Sequence, residues 1–207
     1  VAKTIFLTST LPKEGKTFIS VNLASTIALS DKKVLLLGLD IRNPKLEEYL
    51  DVPKVGVTNY LASKDHKNSA DFLTKVEGFS NFYVMPAGVI PPNPAELLMG
   101  KKVGELFEKL KQEFDYIIVD TAPVSLVTDT LLISKYADAF IYVTRANYLD
   151  KRMLTLPEKL YQEKKLPNMS ILINDTNSTK GYGYGYGYGY GYGVEVEKKS
   201  FWKRIFR

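Results

Sequence analysis

The chain has 207 residues, 45% hydrophobic and 25% charged, which fits one globular domain with a sizeable core and excludes a disordered or collagen-like chain. It contains no cysteine, which excludes disulfides and thiolate metal sites, and no apolar run approaches the length that crosses a bilayer. The net charge is +5, and the final stretch VEVEKKSFWKRIFR carries five basic residues against two acidic ones, so the body is nearly balanced, which argues against a nucleic-acid-binding core.

Six short runs rich in Val, Ile, Phe and Tyr read as buried strands: KTIFLTS, KVLLLGLD, NFYVMPAG, FDYIIVDTAP, DAFIYVTR and MSILIND. Between them, helical spacing predicts helices over Lys16 to Ser30, Pro94 to Glu113, Thr128 to Tyr136 and Lys151 to Lys164. Strands apolar throughout, alternating with helices, imply an α/β fold: a mostly parallel sheet with helices on both faces. Ligands of such sheets bind beyond the carboxyl ends of the strands. The single histidine, His66 in SKDHKNS, reads as a solvated loop residue. Because the chain starts on Val1 and enters a strand at once, it is expected to be a domain of a longer protein, with any membrane anchor upstream.

Three chemical signals fall at strand ends. The first is TLPKEGKT, Thr10 to Thr17, between the first strand and the first helix. It has the P-loop spacing G-x-x-x-x-G-K-[ST], with Thr10 in place of the first glycine. Backbone N–H groups of Pro12-Lys13-Glu14-Gly15-Lys16-Thr17-Phe18, proline excepted, would face phosphate oxygens; Lys16 adds positive charge, and Thr17 offers a hydroxyl to Mg2+. The second is GLDIR, where Asp40 suits a metal or base role as well as a capping one. The third is DYIIVDTAP, where Asp120 ends a strand as a Walker B carboxylate does.

After these elements comes GYGYGYGYGYGYG, Gly181 to Gly193, with Tyr182, Tyr184, Tyr186, Tyr188, Tyr190 and Tyr192 on alternate positions. Glycine at every second position disfavours an ordered strand, so the segment reads as a flexible tether. The terminal KKSFWKRIFR places Phe201, Trp202, Ile205 and Phe206 on one helical face, with Lys199, Lys203, Arg204 and Arg207 nearby. It would either dock on its own or a neighbouring subunit's body or make peripheral contact with anionic lipid, and the residues leave both readings open.

Four segments carry a family resemblance: PKEGKTFISVNLA around Lys16, LLLGLDIRNPKL around Asp40, GVIPPNPAELL from Gly88 to Leu98, and FDYIIVDTAPV around Asp120. In that order they resemble the bacterial tyrosine kinases of capsule and exopolysaccharide export, over about residues 1 to 178. The resemblance implies a P-loop NTPase fold of the deviant Walker A class, close to the MinD/ParA-like division-site and partitioning ATPases. It implies a kinase domain at 1–178 followed by a tyrosine-rich tail at 179–207. It also implies ATP and Mg2+, with autophosphorylation of the tail tyrosines between subunits of a homo-oligomer.

In that family Lys16 and Thr17 take the Walker A roles, Asp40 and Asp120 the Walker A′ and Walker B roles, with Arg42 following Asp40 and Asn174 contacting adenine. Thr17, Asp40 and Asp120 would hold the metal. Location at the cytoplasmic face of the bacterial inner membrane is implied too, beside a polysaccharide export membrane protein or one fused upstream, with no nucleic-acid partner. Two departures stand out. Gly38 occupies the first position of the usual D-x-D of Walker A′, which puts the burden on Asp40 or lowers activity. The glutamate-and-arginine helix that builds a ring in the family lies upstream of the P-loop, so ring assembly through it is not expected of this chain.

Two other classes remain open: a switch ATPase that hydrolyses ATP with water, and a nucleotide-binding scaffold whose tail another kinase modifies. Leu11, where partitioning relatives carry a lysine, disfavours the first. As a hypothesis, six phosphotyrosines at roughly −1.5 to −2 charges each would bring about −9 to −12 to a neutral segment and drive subunits apart. Unchanged oligomer mass after dephosphorylation would end that idea.

Overall fold

A computed structural model of the chain describes residues 2–63 and 68–176. His66, the tyrosines Tyr182 to Tyr192 and the terminal basic segment lie outside the described residues. Seven strands form one sheet: β1 (Lys3–Ser9), β2 (Val34–Leu39), β3 (Thr74–Lys75), β4 (Phe82–Met85), β5 (Tyr116–Thr121), β6 (Ala139–Arg145) and β7 (Met169–Asn174). Their order is β3-β4-β2-β5-β1-β6-β7, and all neighbours pair in parallel except β3 with β4. The six strands read from apolar runs are all present. β3 escaped notice because two residues, Thr74 and Lys75, make no hydrophobic pattern.

The helices are α1 (Lys16–Ala28), α2 (Val57–Ala62), α3 (Pro94–Met99), α4 (Lys101–Glu113), α5 (Asp129–Ile133) and α6 (Thr155–Gln162). The single helix expected over Pro94 to Glu113 is two, because Gly100 adopts an extended ψ of 149° and breaks the hydrogen-bond ladder between α3 and α4. The helix expected from Lys151 begins with a 3-10 turn and becomes α-helical at Thr155; this puts Pro157 in the first turn, where its missing N–H costs nothing. The element expected over Thr128 to Tyr136 likewise divides into α5 and a 3-10 turn.

The sheet is covered on both faces. On one, Val103, Leu106, Phe107 and Leu110 of α4 pack with Phe6, Ile117 and Phe140 of the sheet. On the other, Val21, Ala24 and Ala28 of α1 pack with Leu7, Leu36, Ile118 and Val143. Every residue of β2 is buried, which is why this strand reads as an unbroken apolar run. The arrangement brings the ends of β1, β2, β5, β6 and β7 to one edge of the sheet. Among the described residues, no helix is long and apolar enough to cross a membrane.

Candidate active site

The loop from Thr10 to Gly15 turns β1 into α1 by two left-handed residues, Lys13 at φ 65° and Gly15 at φ 95°. Gly15 is required twice over: its φ suits glycine, and a Cβ there would lie 2.2 Å from Asn174 Nδ2. The bare backbone leaves the N–H groups of the first turn of α1 open to an anion. Thr10, in the position usually given to glycine, is fully buried, and its hydroxyl lies 2.9 Å from the Tyr142 hydroxyl. That partner on β6 explains how a side chain is accommodated there.

Glu14 holds the loop from within. It is fully buried; its Oε2 accepts from the Leu11 N–H at 2.6 Å and its Oε1 from the Arg145 N–H at 3.2 Å. Asn174, at the end of β7, donates through Nδ2 to the Glu14 carbonyl at 2.9 Å. Tyr148 and Arg145 add hydrogen bonds to the carbonyls of Pro12 and Lys13. The loop is thus clamped to β6 and β7 before any ligand arrives, which is the preorganisation a phosphate cradle needs.

Lys16 is buried, 7% exposed, and lines the same cavity as Thr17, Asp40 and Arg42. Thr17 Oγ1 donates to Asp120 Oδ2 at 2.7 Å, so the end of α1's first residues and the end of β5 meet directly. Burial pushes the Asp120 carboxyl up to about 6, against the opposing pull of the Lys16 charge and the Thr17 and Ser20 hydroxyls. Asp40 is half-buried just past β2. Its carboxyl is also raised, first by burial, while the Asn43 N–H at 3.0 Å and the Lys16 charge resist.

Arg42 binds Asp129 in a two-pronged pair, Nε to Oδ2 at 2.6 Å and Nη2 to Oδ1 at 3.0 Å. Asp129 is 1% exposed and opens α5, so the loop after β2 is tied to the helix after β5. The cavity holds about 800 Å3. It brings together Pro12, Lys13, Gly15, Lys16, Thr17 and Phe18 with Asp40, Arg42 and Asn174. Glu14 points away from it, into the loop, and Asp120 lies beneath, reached through Thr17. The segment GVIPPNPAELL stands elsewhere: it forms the turn from β4 into α3, held by Thr58 Oγ1 on the Val89 carbonyl, and lines no part of the cavity.

Sequence reasoning missed Asp129, Arg145, Tyr142 and Tyr148. Arg145 ends a strand and was open to the same rule that found Asp40 and Asp120. Nothing local marks Tyr142, whose role depends on the pairing of β6 with β1.

Hard oxygen donors and a phosphate-sized backbone cradle suit a nucleotide with Mg2+. Among the described residues no three acidic, histidine or cysteine side chains gather into a site.

Residues 3–156 match the family described as AAA domain. The tyrosine-protein kinase CpsD of Streptococcus agalactiae serotype III is 31% identical over 179 residues, 86% of this chain and 76% of the relative. The tyrosine-protein kinase ptk of Acinetobacter johnsonii is 34% identical over 180 residues, yet the chain spans only 24% of that protein. Among solved structures, the kinase domain of the Escherichia coli tyrosine kinase ETK superposes with a TM-score of 0.78 at 29% identity, covering 90% of this chain and 73% of that one. The septum site-determining protein MinD of Pyrococcus horikoshii, complexed with Mg-ADP, shares the fold at a TM-score of 0.64 and 22% identity, covering 83% of this chain and 68% of its own. Carrying a P-loop cleft on that fold and matching kinases along most of its described length, the chain belongs to the bacterial tyrosine kinase family.

Proposed function

We propose that the chain is an ATP-dependent protein-tyrosine kinase whose acceptors are the tail tyrosines, presented by one subunit to the cleft of another. The division into a kinase unit at 1–178 and a tail at 179–207 belongs to this reading. The observation that carries it is the convergence of Lys16, Thr17 and Asp40 on one cavity, with Asp120 hydrogen-bonded to Thr17 beneath.

The P-loop N–H groups and Lys16 bind and orient the triphosphate, and Asn174, hydrogen-bonded to the Glu14 carbonyl, would contact adenine. Bound Mg2+, held by Thr17 with Asp120 and Asp40 nearby, would neutralise charge on the terminal phosphates. The phenol oxygen attacks the γ-phosphorus as the bond from that phosphorus to the β–γ bridging oxygen breaks, ADP leaves, and the phenol proton passes to Asp40. Positioning and charge neutralisation supply most of the rate. Glycine on both sides of each tyrosine leaves no flanking side chain to obstruct entry of the acceptor into the cleft.

Regulation of polysaccharide export, at the cytoplasmic face of the inner membrane and with an export membrane protein as partner, completes the proposal. Incubation of the purified chain with γ-labelled ATP and Mg2+ tests it. Label on tail tyrosines supports it; free phosphate alone points to a switch ATPase, and neither product points to a scaffold.

A further inference from the structure

Exposed apolar side chains scattered singly on a surface carry no message, but clustering around a charged cleft does. Phe18, Tyr49 and Leu126 are 50%, 45% and 61% exposed, and all three line the cavity that holds Lys16 and Asp40. Phe18 follows Thr17 in the first turn of α1. Tyr49 closes a 3-10 turn, its N–H bonded to the Leu46 carbonyl at 3.0 Å, and that turn is anchored by the buried Leu46. The Phe18 and Tyr49 rings face each other with centroids 6.3 Å apart and planes tilted by 55°. Leu126 comes from the loop after β5.

Sheet order sorts these residues from the rest of the lining. Asn174 and Arg145 end β7 and β6, on one side of the P-loop strand β1; Tyr49 and Leu126 follow β2 and β5, on its other side. The apolar rim therefore stands with Asp40, on the side away from Asn174.

We propose that Phe18, Tyr49 and Leu126 form a slot that grips the aromatic ring of the acceptor tyrosine and selects it over serine and threonine; the proposal rests on the phosphoryl-transfer reading above. Tilted ring pairs with centroids about 4.5–7 Å apart are favourable, so Phe18 and Tyr49 already pack on each other and offer an incoming phenyl ring one continuous aromatic surface. A tyrosine lays its ring against the paired Phe18 and Tyr49, with Leu126 beside it, and carries its hydroxyl beyond them toward Asp40. A serine or threonine hydroxyl sits one bond from Cβ and reaches the same point only if the peptide backbone descends past the rim. Glycine neighbours, as in residues 181–193, leave the rim free for the ring.

The test uses the full chain, ATP with Mg2+, and an added Gly-Tyr-Gly-Tyr-Gly peptide, with initial rates of peptide phosphorylation read by mass spectrometry. Tyr49→Ala and Leu126→Ala each raise the KM for peptide by about tenfold, far more than the KM for ATP, while Tyr49→Phe stays near wild type. Peptide KM values within about twofold of wild type in both alanine variants, or equal rises in both KM values, overturn the slot while the kinase reading stands. Absence of label on peptide and tail in the wild-type chain overturns both.

Discussion

Arg42 and Asp129 are locked edge to edge, with two hydrogen bonds of 2.6 and 3.0 Å joining residues 87 positions apart. The pair ties the loop carrying Asp40 to the first turn of α5. Asp129 is buried, so removing Arg42 strands an unpaired carboxylate, whereas removing both charges does not. Arg42→Ala is therefore expected to cost about 1–3 kcal/mol in chemical denaturation, discounted for the 40% exposure of the guanidinium. The double variant Arg42→Ala with Asp129→Asn should recover part of that loss. Strict additivity of the two single changes would show that the pair contributes nothing.

Asp120 is expected to lower the stability of the ligand-free protein at neutral pH. Burial pushes its carboxyl up to about 6 from the ordinary value of 3.8 that the unfolded chain keeps. Between those values the native form keeps a proton that the unfolded chain releases, so its contribution to stability is full below about pH 4 and lost as pH rises through 6. Asp120→Asn should raise the unfolding free energy at pH 7.5 by about 1–3 kcal/mol, with the advantage vanishing near pH 4. Phosphoryl transfer should vanish in the same variant. Thermal unfolding as a function of pH, without nucleotide or metal, checks the first part, and a variant no more stable than wild type at neutral pH would contradict it.

Gly15→Ala asks for a side chain where φ is 95° and Asn174 Nδ2 would be 2.2 Å away. Either the loop straightens or Asn174 is displaced from the Glu14 carbonyl. Affinity for ADP with Mg2+, measured calorimetrically, should fall by about tenfold or more, and stability by about 1–2 kcal/mol. Unaltered affinity would mean that the observed loop shape is not what binds phosphate.

Introducing the family aspartate at position 38 should not raise activity. A Cβ on Gly38 would lie 2.9 Å from the Ala87 backbone nitrogen and 3.0 Å from Leu46 Cδ1, so the strand has closed over the missing side chain. Gly38→Asp is expected to destabilise by about 1–3 kcal/mol, through overpacking, with no gain in tail labelling. A variant as stable as wild type and faster in transfer would show that Asp40 alone is an inadequate substitute for the pair.

What could be read from the sequence follows from where the physics is local. The P-loop, Asp40 and Asp120 were legible because a strand end, a glycine turn and a helix start lie within a few consecutive residues. The six core strands were legible because burial on both faces makes them apolar throughout. α2 was not: six residues held by Pro86 and Ala87 carbonyls carry too short a pattern. Asp129, Tyr142 and the Phe18–Tyr49 pair were hidden because their partners are 87, 132 and 31 residues distant, and only sheet order brings them together. Gly38 was visible as a departure, whereas the packing that fills its place was not.

The most direct measurement compares tail phosphorylation in the wild-type chain and in Lys16→Met, using γ-labelled ATP, Mg2+ and mass spectrometry across Tyr182 to Tyr192. The account predicts phosphate on those tyrosines in the wild type and none in the variant, whose circular dichroism and thermal unfolding remain those of a folded protein. Tail labelling that persists in folded Lys16→Met, from preparations free of other kinases, would contradict it.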